Sequence, residues 1–193
     1  MSQTVLNGSS KVVPAVQPAL RDVLLVVGGS LLMAVCAHVA IPLWFTPVPL
    51  TLQTFGVILL ALSFGGWRAF AALSLYLLEG ISGLPVFNPH GAGGWAQIVG
   101  PTGGYLMMYP FAALACGWLA EKLSARSRIV GFTSGAVLCT AIILAGGSLW
   151  LMTTTHQGLY VVMVVAVLPF LPGEVLKVAA AIAIALRARR FLD

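Results

Sequence analysis

Glu174 and Lys177 stand three residues apart in the run Pro169-Phe-Leu-Pro-Gly-Glu-Val-Leu-Lys177. At helical spacing, positions i and i+3 lie on one face, so the carboxylate and the ammonium are neighbours. The chain around them is almost wholly apolar, and a charge there costs about 2.5–3.5 kcal/mol on membrane-insertion scales. A pair kept at that cost either ties two helices together or serves a site. The carboxylate accepts hydrogen bonds and the ammonium donates them, which suits a ligand head with both kinds of polar atom. Three further runs bring polar groups of the same kind: Thr46-Pro-Val-Pro-Leu-Thr-Leu-Gln-Thr54, Gly83-Leu-Pro-Val-Phe-Asn-Pro-His90 and Gly100-Pro-Thr-Gly-Gly-Tyr-Leu106. They offer Thr51, Gln53, Asn88 and Thr102, and their Phe87 and Tyr105, with the neighbouring Trp44 and Trp95, are expected to form apolar walls. The Gly103-Gly104 pair opens a predicted helix, and its free backbone N–H groups could receive a carboxylate. Together these residues predict a pocket for a small molecule with an apolar body and several amide-like atoms.

The elements that must position this set are membrane helices. Of 193 residues, 60% are hydrophobic and only 8% charged, with a mean hydropathy of +1.01. Soluble domains carry roughly 25% charged residues. Long apolar runs and the lack of alternating patterning indicate helices rather than a barrel. Six spans are predicted, at about 22–41, 51–64, 69–78, 103–120, 129–150 and 173–187. A half-helix up to residue 168 precedes the last, because Pro169, Pro172 and Gly173 interrupt the apolar run. Residues 1–21 form a polar N-terminal segment without the apolar core of a signal peptide, and 22–190 a single membrane domain.

The basic residues test this drawing. Lys11, Arg21, Arg68, Lys122, Arg126, Arg128, Arg187, Arg189 and Arg190 all fall on one side if six spans alternate. The opposite loops, at 42–50, 79–102 and 151–172, contain no Lys or Arg. By the positive-inside rule both termini are cytoplasmic and these loops face outward. The net charge of +5 is therefore topological and does not mark nucleic-acid binding. The long 79–102 loop, read as irregular, is of the length that is usually functional.

The remaining chemistry-bearing residues have plain readings. Gln53 near a helix start could satisfy backbone groups, Asn88 between Phe87 and Pro89 could form a turn, and Glu79 could be a water-exposed helix end. His38 is expected to pack with a hydrogen bond, and His90 and His156 to be solvated. Cys36, Cys116 and Cys139 fall in apolar segments and read as packing residues. No metal or cofactor motif, activated nucleophile or ATP-binding motif is visible. Ser30 and Ala34 in span one form a small-xxx-small pair, suited to internal packing or to docking of a second membrane protein.

The four outer motifs resemble the BioY family, the biotin-binding S components of energy-coupling factor transporters. The likeness covers roughly residues 22–187 and includes all four motifs in order. It implies an all-α, six-helix S-component fold in the bacterial cytoplasmic membrane, an outward biotin pocket, no cofactor and no enzymatic activity. Its implied partners are a transmembrane coupling protein and two ATPase subunits. By resemblance Glu174 and Lys177 contact the ligand's polar head, with Asn88 and the Gly103–Tyr105 turn nearby; the family often has Asp at the place of Glu174. Two other readings remain: an S component for another vitamin, and a membrane enzyme or assembly factor acting on a small lipid-like substrate.

Overall fold

The computed structural model describes residues 18–192; Lys11 and most of the predicted 1–21 segment lie outside them. Eight helices form among the described residues: α1 (Pro18–His38), α2 (Gln53–Phe64), α3 (Gly66–Ile81), α4 (Gly94–Val99), α5 (Gly103–Ser124), α6 (Arg128–Thr155), α7 (Leu159–Ala166) and α8 (Leu171–Leu192). α1 and α6 are long and apolar enough to cross a membrane, and α7 with α8, bent by 54°, makes a third such element. The 12 residues of α2 and the 16 of α3 fall short of the ~20 that a full crossing takes.

Breaks between elements follow from the residues that occupy them. Gly65, at φ 85°, both ends α2 and begins α3, a left-handed position that glycine adopts freely. Pro169 cannot continue α7, whereas Pro172 sits in the first turn of α8, where its missing N–H costs little. The turn so made starts α8 on the Glu174 N–H, which donates to the Phe170 carbonyl at 2.9 Å. An acidic side chain in that first turn is also favoured by the helix dipole.

Two predicted boundaries change. The 79–102 loop is shorter than expected, because α3 continues to Ile81 and α4 occupies Gly94–Val99. The purely helical expectation also misses a small antiparallel clip, Ala40–Ile41 with Leu50–Thr51, which pins the base of the 42–50 loop.

α5 and α6 pack as the central hairpin. Glycines let their backbones approach: a side chain on Gly135 would meet the Cys116 carbonyl, and one on Gly147 the ring of Tyr105. Small residues serve membrane helices in this way because lipid supplies no hydrophobic drive for association. α1 shows the same use. Gly29, Ser30 and Ala37 are buried, and a Cβ on Gly29 would touch Ala72 of α3. The small-residue stripe of span one is therefore internal packing, and docking is not available to Ser30 or Ala37. The outward face of α1 instead carries Leu24, Leu31 and Val35, all more than half exposed, as suits contact with lipid.

Polar residues inside the bundle are paired. Glu79 is half-buried and accepts a hydrogen bond from the Ser30 hydroxyl across the α1–α3 seam, so it is not the water-exposed helix end of the plain reading. His38 places Nδ1 2.8 Å from the Ala34 carbonyl. The three cysteines are free and buried.

Candidate functional site

The Pro-bounded start of α8 aims Glu174 and Lys177 at α2. Lys177 Nζ donates to Glu174 Oε1 at 2.7 Å and to Thr54 Oγ1 at 3.2 Å. The Thr54 hydroxyl in turn donates to the same carboxylate oxygen at 2.8 Å. The side chains of Lys177 and Glu174 are only 10% and 5% exposed. The second carboxylate oxygen, Oε2, is buried without a hydrogen-bond partner among the described residues. A buried acceptor left unpaired costs about 1–3 kcal/mol, and more when charged. An orphan of this kind beside a cavity is what a ligand donor would satisfy.

That cavity opens beside the ion pair. Its polar wall is made by Thr51, Gln53, Thr54, Asn88, Gln97 and Thr102, besides the ion pair. Its apolar wall comes from Val48, Leu106, Ile143, Leu144 and Phe170, with Tyr105 and Tyr109. Tyr109 is buried and lines the cavity.

Most polar residues singled out from the sequence meet at this cavity, though not all are free to bind. Gln53 is held on both sides: its Nε2 donates to the Tyr76 hydroxyl at 2.9 Å, and its Oε1 accepts from Thr51 at 3.2 Å. It thus braces α2 against α3 through side chains, where the plain reading expected backbone. Asn88 keeps its turn role, since Oδ1 accepts from the His90 N–H at 3.1 Å, and it also lines the cavity.

Several predicted positions lie elsewhere. Trp44 is 96% exposed and Trp95 62% exposed, and neither lines the cavity. Phe87 is buried, but its ring stacks edge-on against Tyr76 at 5.4 Å and over Gly80. Gly103 and Gly104 are buried without facing the cavity. A Cβ on Gly103 would collide with the Ile98 carbonyl and one on Gly104 with Trp150, whose indole N–H also donates to the Gly100 carbonyl at 2.9 Å. The glycines serve close packing, and the Gly103 N–H is taken by the Gly100 carbonyl at 3.0 Å. Tyr105 does line the cavity, its hydroxyl 3.5 Å from the Ala166 carbonyl.

The sequence reading missed Thr54, Gln97 and Tyr109. Thr54 carried a usable signal: it ends the polar run that holds Thr51 and Gln53 and lies one residue further round the helix. Gln97 is positioned by α4, an element not predicted, through Nε2 to Thr102 Oγ1 at 2.6 Å and Oε1 from the Gly93 N–H at 3.3 Å. Tyr109 looks like any aromatic in an apolar span.

A buried, charge-paired head group under an amphipathic cavity, set among apolar helices, is the architecture of a membrane-embedded small-molecule receptor. Known proteins narrow that class. Residues 5–193 match the BioY family. The chain is 36% identical over 141 residues to the "Probable biotin transporter BioY" of Pyrococcus horikoshii, covering 73% of this chain and 80% of that one. It is likewise 36% identical over 159 residues to the "Biotin transporter BioY" of Thermotoga maritima, covering 82% and 90%. Its fold is that of a crystallised S-component for biotin from an ECF-type ABC transporter, with a TM-score of 0.82, 23% identity and coverage of 91% and 95%. The chain belongs to the BioY family, a family of transport proteins and not of enzymes.

Proposed function

We propose that this chain captures biotin at the outer face of the cytoplasmic membrane, as the substrate-binding subunit of an energy-coupling factor transporter. The observation that carries the reading is the Thr54–Glu174–Lys177 cluster with its unsatisfied Glu174 oxygen. Biotin's ureido ring presents two N–H donors and one carbonyl acceptor. One N–H suits the orphan Oε2. The carbonyl suits a donor such as the third ammonium hydrogen of Lys177, the Tyr109 hydroxyl or the Asn88 amide. The sulfur-containing ring and aliphatic tail suit Val48, Leu106, Ile143 and Phe170. Gln53, Tyr105 and Thr51 frame this set; Phe87, Gly103 and Gly104 support it from behind by packing, and Trp95 stands outside it.

The topology we infer has six crossings in one domain over 22–190, made by α1, α2, α3, α5, α6 and the bent α7–α8 pair, with both termini cytoplasmic. The nine inner basic residues support it through the positive-inside rule. The Asp22–Arg68 ion pair, at 2.8 Å, joins the starts of α1 and α3 at that end of the bundle. In this reading a transmembrane coupling protein and two ATPase subunits supply the energy, since the sequence has no nucleotide-binding motif.

Equilibrium binding of tritiated biotin to the purified chain tests the proposal. Saturable binding displaced by unlabelled biotin but not by thiamine or riboflavin is expected. Tighter binding of another vitamin, or none of biotin, overturns it.

A further inference from the structure

A second cavity, open to the outside, adjoins the first. The two share Pro49, Asn88, Gln97 and Thr102. Beyond this common wall the outer chamber is bounded by the 42–50 loop and by His90, Ala92 and Pro101, while Thr54, Glu174 and Lys177 belong only to the inner one. A ligand whose head engages the ion pair therefore extends its tail toward Asn88, Gln97 and Thr102, and beyond them into the outer chamber.

What that tail meets includes no Lys or Arg. The sequence has no Lys or Arg between Arg21 and Arg68, between Arg68 and Lys122, or between Arg128 and Lys177. The ammonium of Lys177 is engaged by Glu174 and Thr54. At the Gly103–Gly104 helix start, which a carboxylate would otherwise favour, the Gly103 N–H already donates to the Gly100 carbonyl at 3.0 Å, and neither glycine lines either cavity. The Gln97 amide is held by Thr102 and Gly93.

Building on the biotin reading, we propose that the site reads the ureido head and leaves the tail carboxylate unread. It then also accepts biotin derivatives capped and extended at the carboxyl group as amides. Biotinyl-lysine, the form released when biotin-bearing proteins are hydrolysed, is the simplest member of this class. The head fills the inner chamber and the lysyl extension lies in the outer one.

The test is competition against tritiated biotin on the purified full chain, using biotin, biotin amide and biotinyl-lysine. A carboxylate held by a charge-assisted hydrogen bond loses about 1.5–3 kcal/mol on capping, at least about tenfold in Kd. Both amides are expected within that tenfold of biotin, and a larger loss for either overturns the proposal. Failure of biotin itself to bind overturns the functional reading and this inference with it, so the two failures are distinguishable. Ala92→Trp then tests the placement. Ala92 is exposed and lies only in the outer chamber, so biotin affinity reports that the variant is folded. Biotinyl-lysine should weaken by about tenfold or more relative to biotin. No selective loss excludes the outer chamber as the tail's location.

Discussion

Replacing Glu174 and Lys177 together separates their binding role from their structural one. Lys177→Met alone leaves Glu174 Oε1 with only the Thr54 hydroxyl, and Oε2 still with none. Breaking a buried pair in this way costs about 3–5 kcal/mol of stability, so a binding defect in that variant would be uninterpretable. Glu174→Gln with Lys177→Met removes both charges while keeping side-chain length and the chance of a Thr54 hydrogen bond. Buried pairs replaced by neutral residues of similar volume are commonly neutral in stability or better. The double variant should therefore insert, purify and melt like the parent. Its biotin affinity should not survive. Two charge-assisted hydrogen bonds to the ureido ring, at about 1.5–3 kcal/mol each, sum to about 3–6 kcal/mol. That corresponds to a rise in Kd of roughly 10²–10⁴-fold. Isothermal titration in detergent, with a thermal melt of the same sample, reads both quantities. A double variant that melts normally and binds biotin within tenfold of the parent refutes the assignment of the ion pair to the site.

Other outcomes follow from the same structure. In a variant lacking Cys36, Cys116 and Cys139, His90→Cys should react with an impermeant thiol reagent in intact cells; labelling only after lysis reverses the topology. Gly147→Leu should drive a side chain into Tyr105, costing about 1–3 kcal/mol of stability by overpacking and visible as a lower melting temperature; an unchanged melt would mean that α5 and α6 have room to separate. The purified chain in liposomes should bind biotin without hydrolysing ATP, and concentrative uptake should appear only when a coupling module is added. Accumulation by the lone chain without an ion gradient would refute that dependence.

The helices were legible because membrane segments announce themselves by composition. The ion pair was legible for the same reason: charges in apolar sequence stand out. Gln97 was not, because its place depends on α4, a six-residue helix too short to show periodicity. Aromatics misled in both directions. Trp95 and Phe87 are near Asn88 in sequence, but Trp95 is exposed and Phe87 closes over Tyr76, while Tyr109 gives no local sign that it lines a cavity. The glycines before Tyr105 fit an anion-binding pattern locally, yet α6 brings Trp150 against them, a contact some 46 residues distant. Ser30 and Ala37 show the same limit, since a small-residue stripe does not state which side of its helix meets a neighbour.

The shortness of α2 has a consequence at its outer end. Its 12 residues rise about 18 Å at 1.5 Å each, against a hydrocarbon core of about 30 Å. None of those residues is exposed, so the helix is walled by its neighbours and no lipid has to deform around it. The length it lacks is made up by the irregular chain before it, which is tolerated at membrane depth where it is buried in protein or lines a cavity. Val48, Pro49 and Thr51 line one. A full-length helix here would fill the room that a small molecule needs; stopping short leaves it open.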